Sequence, residues 1–128
     1  MNILVVDDEL AMGRLFEQRF RKEIREGLVT FHFTVSAEEA LTFLQSSGTD
    51  LVMILSDINM PGMSGLELLK ALRLGGYKLP IYMISAYENE AYQKQSIELG
   101  ANGFIPKPLD FGAIRALIMG RIDRGEGV

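Results

Sequence analysis

The sequence of 128 residues contains no cysteine and no tryptophan. The missing cysteine excludes disulfides and thiolate metal ligands, and it permits a reducing compartment. No apolar run approaches the roughly 20 residues of a membrane span. The opening residues, Met1 to Asp8, carry no basic stretch ahead of their apolar run and are too short for a signal peptide. A cytoplasmic location without membrane contact is therefore the default expectation. An excess of positive charge is also lacking. Lys and Arg total 13 against 17 Asp and Glu, the net charge is −4 and the pI is about 5.0, which argues against direct nucleic-acid binding by this domain. There is no internal repeat, low-complexity segment or interdomain linker. At 48% apolar and 23% charged, the composition is that of one globular domain, large enough to remove roughly two-thirds of its unfolded surface from water.

What the chain does have is a continuous apolar run, Leu51-Val52-Met53-Ile54-Leu55, followed by Ser56-Asp57-Ile58-Asn59-Met60-Pro61-Gly62-Met63-Ser64-Gly65. A run without polar alternation reads as a strand buried on both faces of a parallel sheet. Asp57 then stands at the carboxyl end of that strand, where open α/β sheets bind ligands. Ser64-Gly65-Leu66-Glu67 fits a capping box that opens a helix to Leu74, stopped by Gly75-Gly76.

The remaining elements follow the same alternation. Ile3 to Val6 is a short strand ending in Asp7-Asp8-Glu9. A helical pattern runs from Leu10 to Ile24, with Gly27 suited to its stop. Leu28 to Val35 alternates, with Val29, Phe31, Phe33 and Val35 on one face and Thr30, His32 and Thr34 on the other, as in a half-exposed edge strand. Ser36-Ala37-Glu38-Glu39 is a second capping box, with a helix to about Leu44 and a turn at 47–50. Ile81 to Ile84 is a strand ending at Ser85, Asn89 to Leu99 a helix closed by Gly100, and Gly103 to Lys107 a last strand. Pro106 there is tolerable only at an edge or a strand end. Asp110 can cap a final helix to about Ile122. Residues 1–122 thus read as one domain, and the polar, glycine-rich 123–128 as a frayed tail or the start of a linker. Five strands alternating with five helices predict an α/β fold with right-handed crossovers. The most apolar strands are the first, third and fourth, so the order 2-1-3-4-5 of flavodoxin-like sheets fits.

In that order Asp7, Asp8 and Asp57 converge. Hard carboxylate oxygens with room for water suit Mg²⁺. Ser85 ends the fourth strand with a hydroxyl, and Lys107 ends the fifth with an ammonium suited to a phosphate oxygen. The set describes phosphoryl transfer to a carboxylate nucleophile.

These motifs (Asp7-Asp8, Asp57 with Met60-Pro61-Gly62, Ser85-Ala86 and Lys107-Pro108) resemble the response-regulator receiver domain of two-component signalling, over nearly the whole chain. The resemblance implies that Asp57 accepts a phosphoryl group from a histidine kinase or phosphotransfer protein. It implies that Asp8, Asp57 and the Asn59 backbone carbonyl ligate Mg²⁺, with Asp7 acting through a metal-bound water. Ser85 and Lys107 would contact the phosphoryl oxygens, and Lys107-Pro108 would be a cis peptide. Phe104 falls at the family's aromatic switch position. Ser85 stands where threonine is frequent and Phe104 where tyrosine is commoner. The implied output is a changed face built by the fourth helix, fifth strand and fifth helix, read by a partner or a tethered output domain. The charged pattern of dimerising transcriptional receivers is absent from the fifth helix.

Other readings of the same residues are blander. A protein-binding module that keeps the fold without phosphorylation is the alternative. A phosphohydrolase would need an acid/base residue where Asn59 sits, so the chain is not expected to be an enzyme. Tyr87 either tunes dephosphorylation or is an exposed loop aromatic. His32 reads as a half-buried edge residue, and the methionines as core fillers. Arg19, Arg21, Lys22 and Arg25 interleave with Glu17, Glu23 and Glu26 and read as a solvated face.

Overall fold

A computed structural model describes residues 1–48, 50–86 and 90–123. In chain order the elements are β1 (Asn2–Val6), α1 (Ala11–Arg19), α2 (Arg21–Arg25), β2 (Thr30–Thr34), α3 (Ala37–Ser46), β3 (Leu51–Asp57), α4 (Gly65–Leu74), β4 (Ile81–Ser85), α5 (Glu90–Glu98), β5 (Gly103–Pro106) and α6 (Phe111–Asp123). The five strands form one parallel sheet in the order β2-β1-β3-β4-β5. Pro106 is the last residue of an edge strand, where its missing N–H leaves no ladder bond unmade. Among the described residues, no helix is long and apolar enough to cross a membrane.

Side chains alternate across the strands and so supply two cores. Leu4, Val6, Ile54, Ile81 and Met83 meet Ala37 and Ala40 of α3 and Leu68, Leu69 and Leu72 of α4 on one face. Ile3, Val5, Met53, Leu55 and Ile84 meet Met12 and Phe16 of α1 and Ile114 and Ile118 of α6 on the other. Helices on both faces bury most of the central strands, β3 from Met53 to Asp57. This is the physical reason that β3 carries no polar alternation.

Local chemistry fixes the helix starts. Ser64 Oγ accepts from the Glu67 N–H while Glu67 reaches back to the Ser64 N–H, closing the expected box on α4. Ser36 Oγ accepts from the Glu39 N–H at 3.0 Å at the start of α3. Asp110 Oδ1 accepts from the Ala113 N–H at 3.1 Å at the start of α6.

One expectation needs correction. The described residues contain six helices rather than five, because the Leu10–Ile24 pattern divides at Phe20 (φ −111°, ψ 23°). No proline or glycine sits at the break. Instead, the buried Phe20 ring packs among Phe16, Phe31 and Phe111. The Arg115 guanidinium of α6 lies 4.9 Å over that ring and donates to the Arg19 carbonyl. A side chain inserted into the backbone ladder is a recognised cause of a helix break. β2 is a half-exposed edge strand as expected, with Thr30 of its polar face open to water. Its Thr34 is buried and His32 packs on Phe43 of α3 with ring centroids 5.2 Å apart. His32 Nε2 lies 3.1 Å from Asn2 Oδ1, so the half-buried edge role holds for that residue. The expected helix start at Asn89, part of the 47–50 turn and the tail at 124–128 lie outside the described residues.

Candidate functional site: an acidic pocket at the strand ends

Pairing of Val6 with Ser56 sets β1 and β3 side by side, so Asp7 and Asp57, one residue further on, emerge together. Asp57 pairs with Ile84 of β4, and Ser85 follows at the same rim. Ser85 in turn pairs with Pro106, and its carbonyl accepts from the Lys107 N–H at 2.9 Å. Four distant stretches thus deliver Asp7, Asp8, Asp57, Ser85 and Lys107 to one end of the sheet. The Lys107-Pro108 peptide is cis.

The charges meet closely. Lys107 Nζ lies 3.2 Å from Asp57 Oδ2 and 3.6 Å from Asp7 Oδ2. Oxygens of Asp7, Asp8 and Asp57 all lie within 4.8 Å of one another. Asp7 and Asp57 are each only 5% exposed, whereas Asp8 is open to solvent. Burial raises the Asp57 carboxyl above its ordinary value, although Lys107 and the Asn59 N–H pull it the other way. Burial likewise raises Asp7, against the Glu9 N–H and Lys107. Burial works to lower Lys107, but Asp57 and Asp7 outweigh it and raise its pKa. Buried like charges with one cation among them leave a deficit of positive charge.

The donor set fits a hard divalent cation. Asp7 Oδ2 is buried without a hydrogen-bond partner, its one ion-pair contact among the described residues being Lys107 at 3.6 Å, and a buried acceptor left open in this way suits a further cation or its water. Three carboxylates at this spacing, one open to water, match the preference of Mg²⁺ for oxygen ligands and retained water. Asn59 is exposed, and its N–H bonds the Asp57 carboxylate. Ser85 is fully buried. Phe104 pairs with Met83 and packs, half-buried, against the core under α3, α4 and α5. Tyr87 lies outside the described residues.

Residue-by-residue reading overlooked two participants. Glu9 donates its N–H to Asp7 Oδ1 at 2.8 Å and brings its carboxylate to 3.9 Å from Lys107. Its place directly after the acid pair was the available signal. Gly65 passes so close to the Asp57 loop that a Cβ would lie 1.9 Å from the Asp57 carbonyl oxygen, and its N–H bonds the Ile58 carbonyl at 2.8 Å. In the sequence it reads only as a position inside the capping box that opens α4.

The chain is similar to known proteins. Residues 3–119 match the response regulator receiver domain family. The chain is 36% identical over 121 residues to chemotaxis protein CheY-3 of Vibrio cholerae, covering 90% of this chain and 86% of that one. It is 33% identical over 113 residues to sporulation initiation phosphotransferase F of Bacillus subtilis, covering 88% and 86%. Identity to the two-component response regulator PhoP of Pseudomonas aeruginosa is 32% over 127 residues, but there the chain spans only about half (54%) of the relative's length. The receiver domain of Francisella response regulator 1452 superposes with a TM-score of 0.84 at 20% identity, covering 98% of both chains, a likeness of fold. With the profile matched nearly end to end and relatives above 30% identity spanned over most of their length, this chain belongs to the response regulator receiver domain family.

Proposed function

We propose that this domain acts as the phosphoryl-accepting receiver of a two-component relay, with Asp57 as the acceptor. The observation that carries this reading is Lys107 Nζ at 3.2 Å from Asp57 Oδ2 within a buried trio of aspartates. In the proposed step an Asp57 carboxylate oxygen attacks the phosphorus of a phosphohistidine on a kinase or phosphotransfer partner. A P–O bond forms, the P–N bond breaks, and the imidazole leaves with its electron pair and takes up a proton. Asp8, Asp57 and the Asn59 carbonyl would hold Mg²⁺, with Asp7 holding one of its waters. When bound, the ion supplies positive charge against the developing phosphoryl charge. Lys107 releases part of its hold on Asp57 and takes a phosphoryl oxygen, while the Ser85 hydroxyl takes another.

The readout follows from the same contacts. Ser85 moving toward the phosphoryl group vacates space into which the half-buried Phe104 ring turns. The face formed by α5, β5 and α6 then changes shape for a partner or a tethered output domain. A shift from about 1% to 99% active requires about 5.5 kcal/mol of differential interaction. A few charge-assisted hydrogen bonds of about 1.5–3 kcal/mol each suffice. The chain performs no turnover of its own in this scheme.

The test is incubation with Mg²⁺ and a small acyl-phosphate donor, followed by intact-mass measurement. The expected result is a gain of one phosphoryl group that disappears in Asp57→Asn and after chelation. An unmodified mass, or a gain that survives in Asp57→Asn, would reject the proposal.

A further inference from the structure

A cavity of about 620 Å³ lies apart from the acidic pocket. It is a groove along α1 and α2 where they border β2, lined by Arg14, Glu17, Gln18, Arg21, Arg25 and Phe31, with Ile24 and Thr30 completing its walls. Folding changes the charge balance that the sequence suggests here. Glu23, one of the acids interleaved with these arginines, is buried and paired with Arg115 of α6 at 3.5 Å. It is thereby withdrawn from the groove, and Glu26 does not line it. Arg14, Arg21 and Arg25 are exposed and take part in no ion pair among the described residues. Three guanidiniums therefore face one carboxylate, Glu17, on a molecule whose net charge is −4.

Beside the arginines runs an open strand edge. β2 has β1 on one side and no strand on the other. The Thr30 N–H bonds the Met1 carbonyl, and the Thr34 carbonyl accepts from the Asp7 N–H. Because a strand turns its backbone groups alternately, Thr30, His32 and Thr34 face β1, and the N–H and C=O groups of Phe31 and Phe33 face outward. Such an edge accepts an added strand. Alternate residues of that strand lie about 6.8 Å apart, close to the roughly 5.4 Å of one helical turn. Carboxylates at every second position would thus come within reach of successive arginines.

We propose that this groove and the β2 edge form a docking surface for an extended, acidic segment of a partner protein, which pairs with Phe31 and Phe33 and sets its carboxylates against Arg14, Arg21 and Arg25. Guanidinium forks suit carboxylates in bidentate contact. A peptide backbone also satisfies the open edge amides, which a lipid surface or a nucleic acid does not do in ladder geometry. The surface is separate from the phosphoryl pocket, so its failure and that of the receiver reading are independent.

The test uses a fluorescent peptide of alternating glutamate and valine, with the whole chain as binding partner. Arg21→Glu/Arg25→Glu is expected to weaken binding by about tenfold or more, while Lys22→Glu, exposed on α2 but outside the groove, leaves it unchanged. Amide exchange at Phe31 and Phe33 should slow in the presence of peptide. Arg21→Gln/Arg25→Gln, without added like charge, serves as a second variant should the double reversal unfold, and far-UV circular dichroism with thermal unfolding reports that the fold is retained. Equal affinity of the arginine variants and the parent would overturn the proposal. So would unchanged exchange at Phe31 and Phe33, or binding of anionic vesicles or single-stranded RNA in preference to the peptide.

Discussion

Lys107 faces Asp7, Glu9 and Asp57 with a single positive charge, and the imbalance has a measurable consequence in the metal-free protein. Burial raises the folded-state pKa of Asp57 and Asp7 above the ordinary 3.8. A carboxyl raised in this way costs no stability below its unfolded value. The cost appears as pH rises from about 3.8 through the folded value and is constant above it. Lys107 acts in the opposite sense. Raised above 10.5, it contributes stability that is complete below that value and is lost as pH climbs through the folded pKa. In EDTA at pH 7, Asp57→Asn is therefore expected to unfold at higher temperature or denaturant concentration than the parent. The difference should shrink as pH falls toward 3.8. A parent more stable than Asp57→Asn at pH 7 would contradict the assigned burial penalty. Gly65 is the second sensitive residue. A Cβ 1.9 Å from the Asp57 carbonyl oxygen has no flexible side chain to push aside. Gly65→Ala is expected to lose about 1–3 kcal/mol or more in denaturant unfolding and to weaken divalent-ion binding at the displaced Asp57 loop.

At the level of elements, one arginine holds two loops. Arg73, in the last turn of α4, donates to the carbonyls of Gly100, Tyr77 and Leu79 and to Asn102 Oδ1, at 2.8–3.0 Å. Asn102 Oδ1 also accepts from the Ile81 N–H at 3.1 Å. The chain entering β4 is thereby tied to the chain entering β5. Arg73→Ala is expected to destabilise by about 2–3 kcal/mol in chemical unfolding, and Arg73→Lys, which keeps charge but loses the planar fork, by a substantial part of that. None of this was legible in sequence, where Arg73 looks like an ordinary cation near a helix end. The break at Phe20 was hidden for a similar reason: it depends on Arg115, 96 positions from the carbonyl it bonds. The elements that sequence did reveal were those encoded locally. The Ser64/Glu67 box, the apolar run of β3 and the glycines after α4 carry their instructions within a few residues. For β2, alternation reported which residues share a face, but not that α3 covers part of the polar one through Phe43.

For the whole molecule, the acidic pocket was readable because topology does the work. Once strand order is inferred from which runs are most apolar, the carboxyl ends of β1, β3, β4 and β5 must meet, and the chemistry of their last residues follows. The same topology makes the two sides of the sheet unequal in the order of their assembly. The layer of α3, α4 and α5 comes from one uninterrupted stretch of chain, Ala37 to Glu98. The layer of α1, α2 and α6 closes only when Phe111, Ile114 and Ile118 reach Phe16 and Phe20. Ends brought together across most of a chain form slowly, since loop closure must precede the contacts that reward it. Pulse-labelled amide exchange during refolding should protect α4 and β3 before α1 and α6, and simultaneous protection would refute that order. On a ribosome, the half of the core that closes around α6 can be completed only after almost the entire domain has been synthesised, leaving the Phe16 and Phe20 rings without Phe111 until then.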